Sequence, residues 1–526
     1  MSRSSRIEGG IGKPLSRRIG FWLGPVAFVL TLAAGHVAPG HVLITKMIAV
    51  AMLMAIWWIM DAIPLAATSL LPLALYPLLG IMKGKEVAPL YVNSVIFLFL
   101  GGFLIALAME RWDLHKRIAL SIIRVVGGSP AMLVLGFMVA TAFLSMWISN
   151  TAATIMMLAI GLSVIQAEEE TFGRKAVDHF SAALLLGIAY AASAGGIATL
   201  VGTPPNLSLV RIFEVLFPEA ASNGFSITFG PWLLLCLPLS LLMLVSIWLL
   251  LTKVFFRSPS ELKLSSEVVD KEYRKLGPMT YQQIVVAMVF VSTALLWVFR
   301  NDLTIGTKFK IPGWSHLLGH GDLLDDGTVA VAMALILFLI PSRKSEKQGE
   351  DEGYGTILDF GVFRKIPWHI ILLFGGGFAL AKGFQTSGLS AWVGSGFSEL
   401  AGTPETLMIG AVCGIISFLT ELTSNTATTE MILPLLASIS TAAKINPLML
   451  MIPATISASF AFMMPVATPP NAIIFGSGRI RIAQMVRVGV VINLIGIVLV
   501  TVVFQLLGPL LFDIQPGAFP DWAATP

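Results

Sequence analysis

Runs of apolar residues long enough to cross a bilayer recur along this chain, separated by short polar or charged segments. A spanning helix needs about 20 predominantly apolar residues, because at 1.5 Å per residue that length matches a hydrocarbon core roughly 30 Å thick. Runs near that length lie at about 19–37, 44–61, 63–82, 93–110, 180–210, 230–252, 281–299, 328–341, 368–388, 446–475 and 488–512, which predicts eleven crossings. Two further stretches, 131–166 and 404–442, are too long for one crossing and carry a polar cluster at mid-length. They are read as re-entrant hairpins that enter and leave on one side of the membrane. Composition agrees: of 526 residues 56% are hydrophobic and 12% charged, against about 25% charged in an average soluble domain. Mean hydropathy is +0.85. The expected fold class is an all-α integral membrane protein with about 11 transmembrane helices plus two re-entrant hairpins.

The placement of charge sets the orientation. Lys and Arg accumulate in cytoplasmic loops. With a cytoplasmic N-terminus, 25 of the 34 basic residues fall inside, among them Arg3, Arg6, Lys13, Arg111, Arg117, Arg124, Lys263, Lys271, Lys344, Lys347, Arg479 and Arg481. Turning either hairpin into a full crossing spoils that bias. A formal net charge of +4 is too even for a nucleic-acid binder. Cys236 and Cys413, the two cysteines, both lie in apolar runs, so neither a disulfide framework nor a thiolate metal site is available. Residues 1–35 also resemble a secretory signal, with Phe21 to Leu32 as apolar core and Ala33-Ala34-Gly35 as cleavage site; the charge map favours a retained first span. Segments 256–280 and 342–367 read as cytoplasmic loops, and 300–327 as an extracytoplasmic one.

Three features of the first half recur in the second. Gly101-Gly102-Phe103 returns as Gly376-Gly377-Phe378 and Ser149-Asn150-Thr151 as Ser424-Asn425-Thr426, both at an offset of 275. Thr203-Pro204-Pro205-Asn206 returns as Thr468-Pro469-Pro470-Asn471 at an offset of 265. The resulting organisation is an N-terminal tail and first span (1–41), a first repeat (42–255, hairpin 131–166 and broken helix 180–210) and a cytoplasmic linker (256–280). A second repeat (281–513, hairpin 404–442 and broken helix 446–475) and an extracytoplasmic tail (514–526) follow. Five crossings per half is an odd number, so the second copy is expected upside down, the inverted-topology repeat of secondary transporters.

The recurring residues are polar at membrane depth, where an unsatisfied group costs several kcal/mol. A half-helix arriving at Ser149 ends in free carbonyls, and one leaving from Asn150 or Thr151 begins with free N–H groups. The departing end offers roughly +0.5 charge to an anion, while the arriving carbonyls and the Ser149 hydroxyl suit a small cation. The tip at Thr420 to Thr426 repeats this, and Ser145 and Thr420 share the 275 offset. Gly195-Gly196 and Gly202 to Asn206 interrupt the fifth crossing, and Met464 to Asn471 the tenth. Each double proline removes two N–H donors and frees carbonyls one turn earlier. Taken singly, such residues knit helices together at about 0.6 kcal/mol per bond; their matched register points to a site. Neither tip nor break holds Lys or Arg, so bound Na⁺ is inferred to offset a dianion. Glu421, the nearest titratable group, reads as a supporting acid, and Lys382 as a base that snorkels to the outer interface.

The paired Ser-Asn-Thr tips, the paired Thr-Pro-Pro-Asn breaks and the segment Trp57 to Leu65 resemble the divalent anion:sodium symporter (DASS) family over about residues 19–512. The resemblance implies a secondary active transporter for dicarboxylates of the succinate, malate and fumarate class, coupled to Na⁺ by an elevator-type alternating-access mechanism. It implies a homodimer among membrane lipids, multi-pass in the plasma membrane (the bacterial inner membrane), with no nucleic-acid partner. It implies substrate contacts from Asn150, Thr151, Thr203, Asn425, Thr426, Thr468 and Pro469. One Na⁺ site would comprise Ser145, Ser149, Asn150 and Gly202, and the other Thr420, Thr423, Asn425 and Ala467. Asp61 stands where the family motif is expected to carry Glu, and Lys382 in a stretch usually without a base. The second departure keeps open a dicarboxylate exchanger without Na⁺ coupling; citrate and sulfate carriers are relatives in the same family.

An enzyme finds little support: the seven histidines are scattered and no His-Glu-x-x-His stretch is present. His316, His320 and Asp322 have a spacing that reads as a solvated outer loop rather than a zinc site. Gly375-Gly376-Gly377 suits close helix packing better than a phosphate loop. A channel would also show polar rings but does not require two matched hairpins.

Overall fold

A computed structural model describes residues 15–35, 41–126, 129–223, 225–257, 267–305, 309–343, 355–397, 402–515 and 517–524. Arg3, Arg6, Lys13, Lys263, Lys344 and Lys347, all placed in the cytoplasm by the charge map, lie outside the described residues. The first half holds α1 (Leu15–Ala33), α2 (Val42–Ile59), α3 (Leu71–Leu79), α4 (Ser94–Arg111), α5 (Leu114–Val126) and α6 (Pro130–Ser145). It continues through α7 (Asn150–Phe172), α8 (Arg174–Gly196), α9 (Pro204–Leu216) and α10 (Phe229–Leu249). After α11 (Glu267–Lys275) in the linker come α12 (Tyr281–Val298), α13 (Asp326–Leu339), α14 (Trp368–Ser387), α15 (Glu405–Leu419) and α16 (Asn425–Ala442). The chain ends with α17 (Leu448–Ala458), α18 (Pro469–Gly476) and α19 (Ile482–Leu511). The outer loop contributes a two-stranded antiparallel ribbon, β1 (Leu303–Ile305) with β2 (Phe309–Ile311).

Among the described residues nine helices are long and apolar enough to cross a membrane. Eight coincide with expected crossings, and the ninth is α7. Its apolar part ends at Ile165, and Gln166, Glu168, Glu169 and Glu170 follow in the same helix, so its last turns belong in water rather than in lipid. The expected crossings at 63–82 and 328–341 are shorter than anticipated. Asp61 takes a positive φ of 46° ahead of Pro64, which delays the helix, and the 328–341 run forms the 14-residue α13. The amphipathic α5 was not expected from the span count. It buries Leu114, Ala119, Leu120 and Ile123 and packs on α6.

Local chemistry sets the breaks. Ser129 caps α6 by accepting from Met132 N at 3.3 Å, and Pro130 follows at the first helical position, where its missing N–H costs nothing. Ser149 caps α7 by accepting from Ala152 N at 3.1 Å. Thr203 and Thr468 sit extended before Pro-Pro and start α9 and α18. The centre of the molecule is α8, buried from Phe180 to Gly196, as expected of a helix apolar on every side. It packs on α6, α7, α10 and α18, while α9 packs on α14 and α16. The helix after each break thus lies against the outgoing limb of the other half's hairpin: α18 on α7 and α9 on α16.

Candidate functional site

Two polar clusters form where each hairpin tip meets the broken helix of its own half. In the first, Ser145 Oγ donates to Asn150 Oδ1 across the tip, and Thr199 Oγ1 donates to the Met146 carbonyl. A Cβ on Gly202 would lie 2.5 Å from the Gly196 oxygen, 3.0 Å from that of Ser145 and 3.1 Å from that of Met146. Three carbonyl oxygens therefore converge on a glycine. A Cβ on Gly196 would lie 2.7 Å from Asn150 Oδ1, so the amide shared with Ser145 borders the same cradle. Oxygen donors without thiolate or imidazole suit a hard cation such as Na⁺.

The second cluster repeats the first. Thr420 Oγ1, beside Asn425 Oδ1 at 2.7 Å and the Ala458 carbonyl at 2.9 Å, takes the place of Ser145. Asn206 and Asn471 fasten the two breaks in register. Asn206 Nδ2 donates to the carbonyls of Gly196 and Thr199. Asn471 Nδ2 donates to those of Ala461 and Met464, each 265 residues later. The tip bond recurs at 275 and the break bonds at 265, so the repeat noticed in the sequence is also a repeat of hydrogen bonds.

The halves differ in how the break is held. Glu421 Oε1 accepts from Phe462 N at 2.7 Å, Met463 N at 2.9 Å and Asn493 Nδ2 at 2.8 Å, and Oε2 from Met464 N at 3.0 Å. This acid is a clamp that ties the second tip to its break and to α19. Position 146 in the first half, 275 residues earlier, is a methionine.

Each cluster collects most of its own candidates: Ser145, Ser149, Asn150 and Gly202 in one, Thr420, Thr423, Asn425 and the Met464–Ala467 turn in the other. Thr203, Thr426 and Thr468 are buried, while Thr151 and Asn150 are half-buried. Pro469 opens α18, the helix that packs on α7. Among the described residues no hydrogen bond runs directly between candidates of the two clusters. They are linked by helix packing and by Ser208 Oγ of α9, which donates to Glu430 Oε1 of α16 at 2.5 Å. Lys382 Nζ donates to Gln385 at 2.7 Å, and Gln385 reaches the Leu216 carbonyl at the far end of α9. Twelve helical steps separate Leu216 from Pro204, about 18 Å, so this ammonium is remote from the first break.

Beyond the tips, a cleft of about 750 Å³ runs along α7 from Ala152 to Ser163, with Glu110, Lys116, Lys275 and Lys365 on its opposite walls. Sequence reasoning marked Glu421 as a supporting acid without its partners in the second break and Asn493, and gave no sign of the buried Ser208–Glu430 contact. It quoted Asn206 and Asn471 within their motifs without giving them a task. The motif spacing was the available signal for the asparagines; the two acids break the repeat, so Glu421 was marked only by its place beside the tip and Glu430 by nothing.

Interrupted helices facing matched polar tips within an all-α bundle define a multispanning membrane carrier rather than an enzyme or a soluble module. The chain belongs to the family described as the sodium:sulfate symporter transmembrane region, which matches residues 26–514; that family places it among transporters, not enzymes. The sodium-dependent dicarboxylate transporter SdcS of Staphylococcus aureus (strain USA300) is 41% identical over 510 residues, covering 96% of this chain and 94% of that protein. Its namesake in Staphylococcus saprophyticus is 40% identical over 499 residues, covering 93% and 91%. Two solved transporters share the fold at low identity. Alcanivorax borkumensis YdaH has a TM-score of 0.52 and 12% identity, covering 95% of this chain and all of that one. Neisseria gonorrhoeae MtrF has 0.54 and 13%, covering 93% and 99%.

Proposed function

We propose that this protein moves C4 dicarboxylates across the membrane together with Na⁺. The observation that carries the reading is the pair of hydroxyl, amide and carbonyl clusters, matched in the bond across each tip and in the asparagine bonds of each break and free of basic side chains, in a chain 41% identical to sodium-dependent dicarboxylate transporters over nearly its whole length. A charge at the bilayer centre costs on the order of 2.5–3.5 kcal/mol, and a dianion brings two. A helix N-terminus returns about 0.3–1 kcal/mol, and about 2 in a favourable buried geometry. The N-termini at Asn150 and Asn425 leave a deficit that two cations in the adjoining cradles remove.

In this reading Asn150, Thr151, Asn425 and Thr426 hold the carboxylates, with Thr203, Thr468 and Pro469 completing the pocket. Na⁺ occupies the Ser145, Ser149, Asn150 and Gly202 cradle and the Thr420, Thr423, Asn425 and Ala467 cradle. Empty tips repel the dianion, and filled ones accept it, which couples the Na⁺ gradient to substrate movement. The two halves act as an inverted repeat, the hairpins with their broken helices move as an elevator against the remaining helices, and two copies assemble as a homodimer in lipid. The cleft beside Ala152 opens on the side where basic loops gather, which supports assigning this state as inward-facing.

The test is uptake of radiolabelled succinate into proteoliposomes. Replacing Na⁺ by choline is expected to abolish uptake, and Asn150→Ala or Asn425→Ala to do the same in folded protein. Undiminished uptake in choline, driven by internal dicarboxylate, refutes symport in favour of exchange. Stronger competition by citrate or sulfate than by unlabelled succinate refutes the substrate class.

A further inference from the structure

We propose that Asn206 and Asn471 are positioning residues for the two cation cradles, each holding from outside the backbone carbonyls that fix where Gly202 and Ala467 present their own. The inference rests on the Na⁺-coupled reading above and deepens it.

Both side chains are fully buried. Asn206 Nδ2 lies 2.7 Å from the Thr199 oxygen and 3.4 Å from those of Gly196 and Ile197. Asn471 Nδ2 lies 3.0 Å from the Ala461 oxygen and 3.1 Å from that of Met464. The Thr199 carbonyl also receives Gly202 N at 3.4 Å, and the Met464 carbonyl receives Ala467 N at 3.2 Å. In each half, then, one carbonyl is gripped by the asparagine and by the residue proposed to coordinate the cation. Gly196 carries the connection further, since its oxygen is one of the three that converge on Gly202.

Chemistry explains why an amide stands there. A cation cradle gathers carbonyl oxygens whose dipoles repel one another. Each oxygen has two lone pairs, and on the Thr199 and Met464 carbonyls both are taken, one by the asparagine and one by the Gly202 or Ala467 N–H, which fixes the turn and leaves the Gly202 and Ala467 oxygens for the ion. Backbone donors would ordinarily serve, but Pro204-Pro205 and Pro469-Pro470 remove two of them at the start of the following helix. The next residue returns two through its side chain. Helix capping does not account for Asn471, because Thr468 Oγ1 already accepts from its backbone N–H at 3.3 Å, and in both halves the asparagine side chain reaches back to carbonyls of the break rather than to N–H groups of its own helix. The amide oxygens support the same conclusion: among the described residues both Oδ1 atoms are buried without a donor, so each side chain serves the fold as a donor alone.

The experiment uses the full chain carrying Asn206→Ala or Asn471→Ala. Two readouts are taken: the Na⁺ concentration for half-maximal succinate uptake, and the Na⁺ midpoint for thermal stabilisation of detergent-solubilised protein without substrate. Loss of the donors is expected to raise both midpoints about tenfold while uptake at saturating Na⁺ stays near wild type. Asn206→Gln, which keeps both donors, is expected to recover part of the affinity. A merely structural role predicts the opposite pattern, a lower melting temperature in Na⁺-free buffer with both midpoints unchanged, and that result overturns the proposal. Should the alanine variants fail to fold, Asn206→Ser and Asn471→Ser, which retain a single donor, are titrated in the same way, and wild-type midpoints in them also overturn it. Wild-type protein that shows neither Na⁺-dependent uptake nor Na⁺ stabilisation ends the coupled reading itself, which separates the two failures.

Discussion

Adding one methyl group at Gly202 tests the first cradle directly. In Gly202→Ala the new Cβ would stand 2.5 Å from the Gly196 oxygen and 3.0 and 3.1 Å from those of Ser145 and Met146. These are backbone atoms of a tip and a break that are both packed, so none of them yields as the end of a flexible side chain would. Overpacking of this kind costs about 1–3 kcal/mol. Because Gly202 and Ser145 are proposed ligands and the other displaced oxygens, those of Gly196 and Met146, border the same cradle, the cost falls on Na⁺ binding, where it corresponds to roughly 5- to 150-fold. The expected outcome is a Na⁺ activation curve for succinate uptake shifted to higher concentration by that factor, with a matching loss of Na⁺-dependent thermal stabilisation. Gly476→Ala is the control: a Cβ there meets nothing within 4 Å, and its Na⁺ curve is expected to overlay wild type. A folded Gly202→Ala protein with the wild-type Na⁺ midpoint refutes the assignment of this cradle to the cation.

The remaining predictions concern the supports and the outer loop. Glu421→Gln replaces an acceptor of Met464 N or of the Phe462 and Met463 pair by a donor, so it is expected to destabilise the protein by on the order of 3 kcal/mol, read as a lower melting temperature; an unchanged one contradicts the clamp. In Gly377→Ala the new methyl overlaps the Glu430 carboxyl and drives it off Ser208, whereas the Gly377→Ala/Glu430→Ala double variant regains part of the lost stability; additive losses refute direct contact. Asp302, bonded to Lys310, Gly313 N and His316, has its carboxyl pKa lowered to about 2, chiefly by the Lys310 hydrogen bond. A lowered folded pKa contributes stability above the unfolded value of about 3.9 that disappears as pH falls through 2. Protection of the Gly313 amide from hydrogen exchange should therefore persist at pH 4 and fade toward pH 2, and its loss already near pH 4 contradicts the bonding.

The parts legible in the sequence share one property: they are polar where the chain is otherwise apolar, and they occur twice. Ser145 with Asn150 and Thr420 with Asn425 form the same bond across their tips, and two matched motifs in one register left few other arrangements. Most membrane spans were legible as long apolar runs, since lipid penalises every unpaired backbone group and so demands continuous apolar helices; eight of the expected crossings are such helices. What stayed hidden was unique or short in range. The clamp of Glu421 on Phe462, Met463, Met464 and Asn493 has a methionine for its counterpart, so no repeat announces it. Glu430 meets Ser208 and Gly377 from two other helices, a contact set by packing that single-sequence periodicity does not encode. The helix α5 was concealed by its own charges: Lys116 and Arg124 face out, while Arg117 is buried and grips the carbonyls of Leu276, Gly277 and Pro278.

The unmatched pieces carry their own consequence for mechanism. The first break is held closed by close approach, with Gly202 abutting three carbonyls and Gly195 pressed against the Ala142 backbone. The second carries a Cβ at the equivalent position, Ala467, and there Glu421 holds three successive backbone N–H groups, those of Phe462, Met463 and Met464. One cradle is therefore shaped by the absence of side chains and the other by a buried carboxylate that lends negative potential nearby. A carboxylate close to a cation favours its binding through Coulomb attraction in a low-dielectric interior, so the Thr420 cradle should fill at lower Na⁺ than the Ser145 cradle. Asn471 variants would then shift the foot of the Na⁺ activation curve and Asn206 variants its upper part; identical shifts from both would show that the two cradles are equivalent in spite of their different construction.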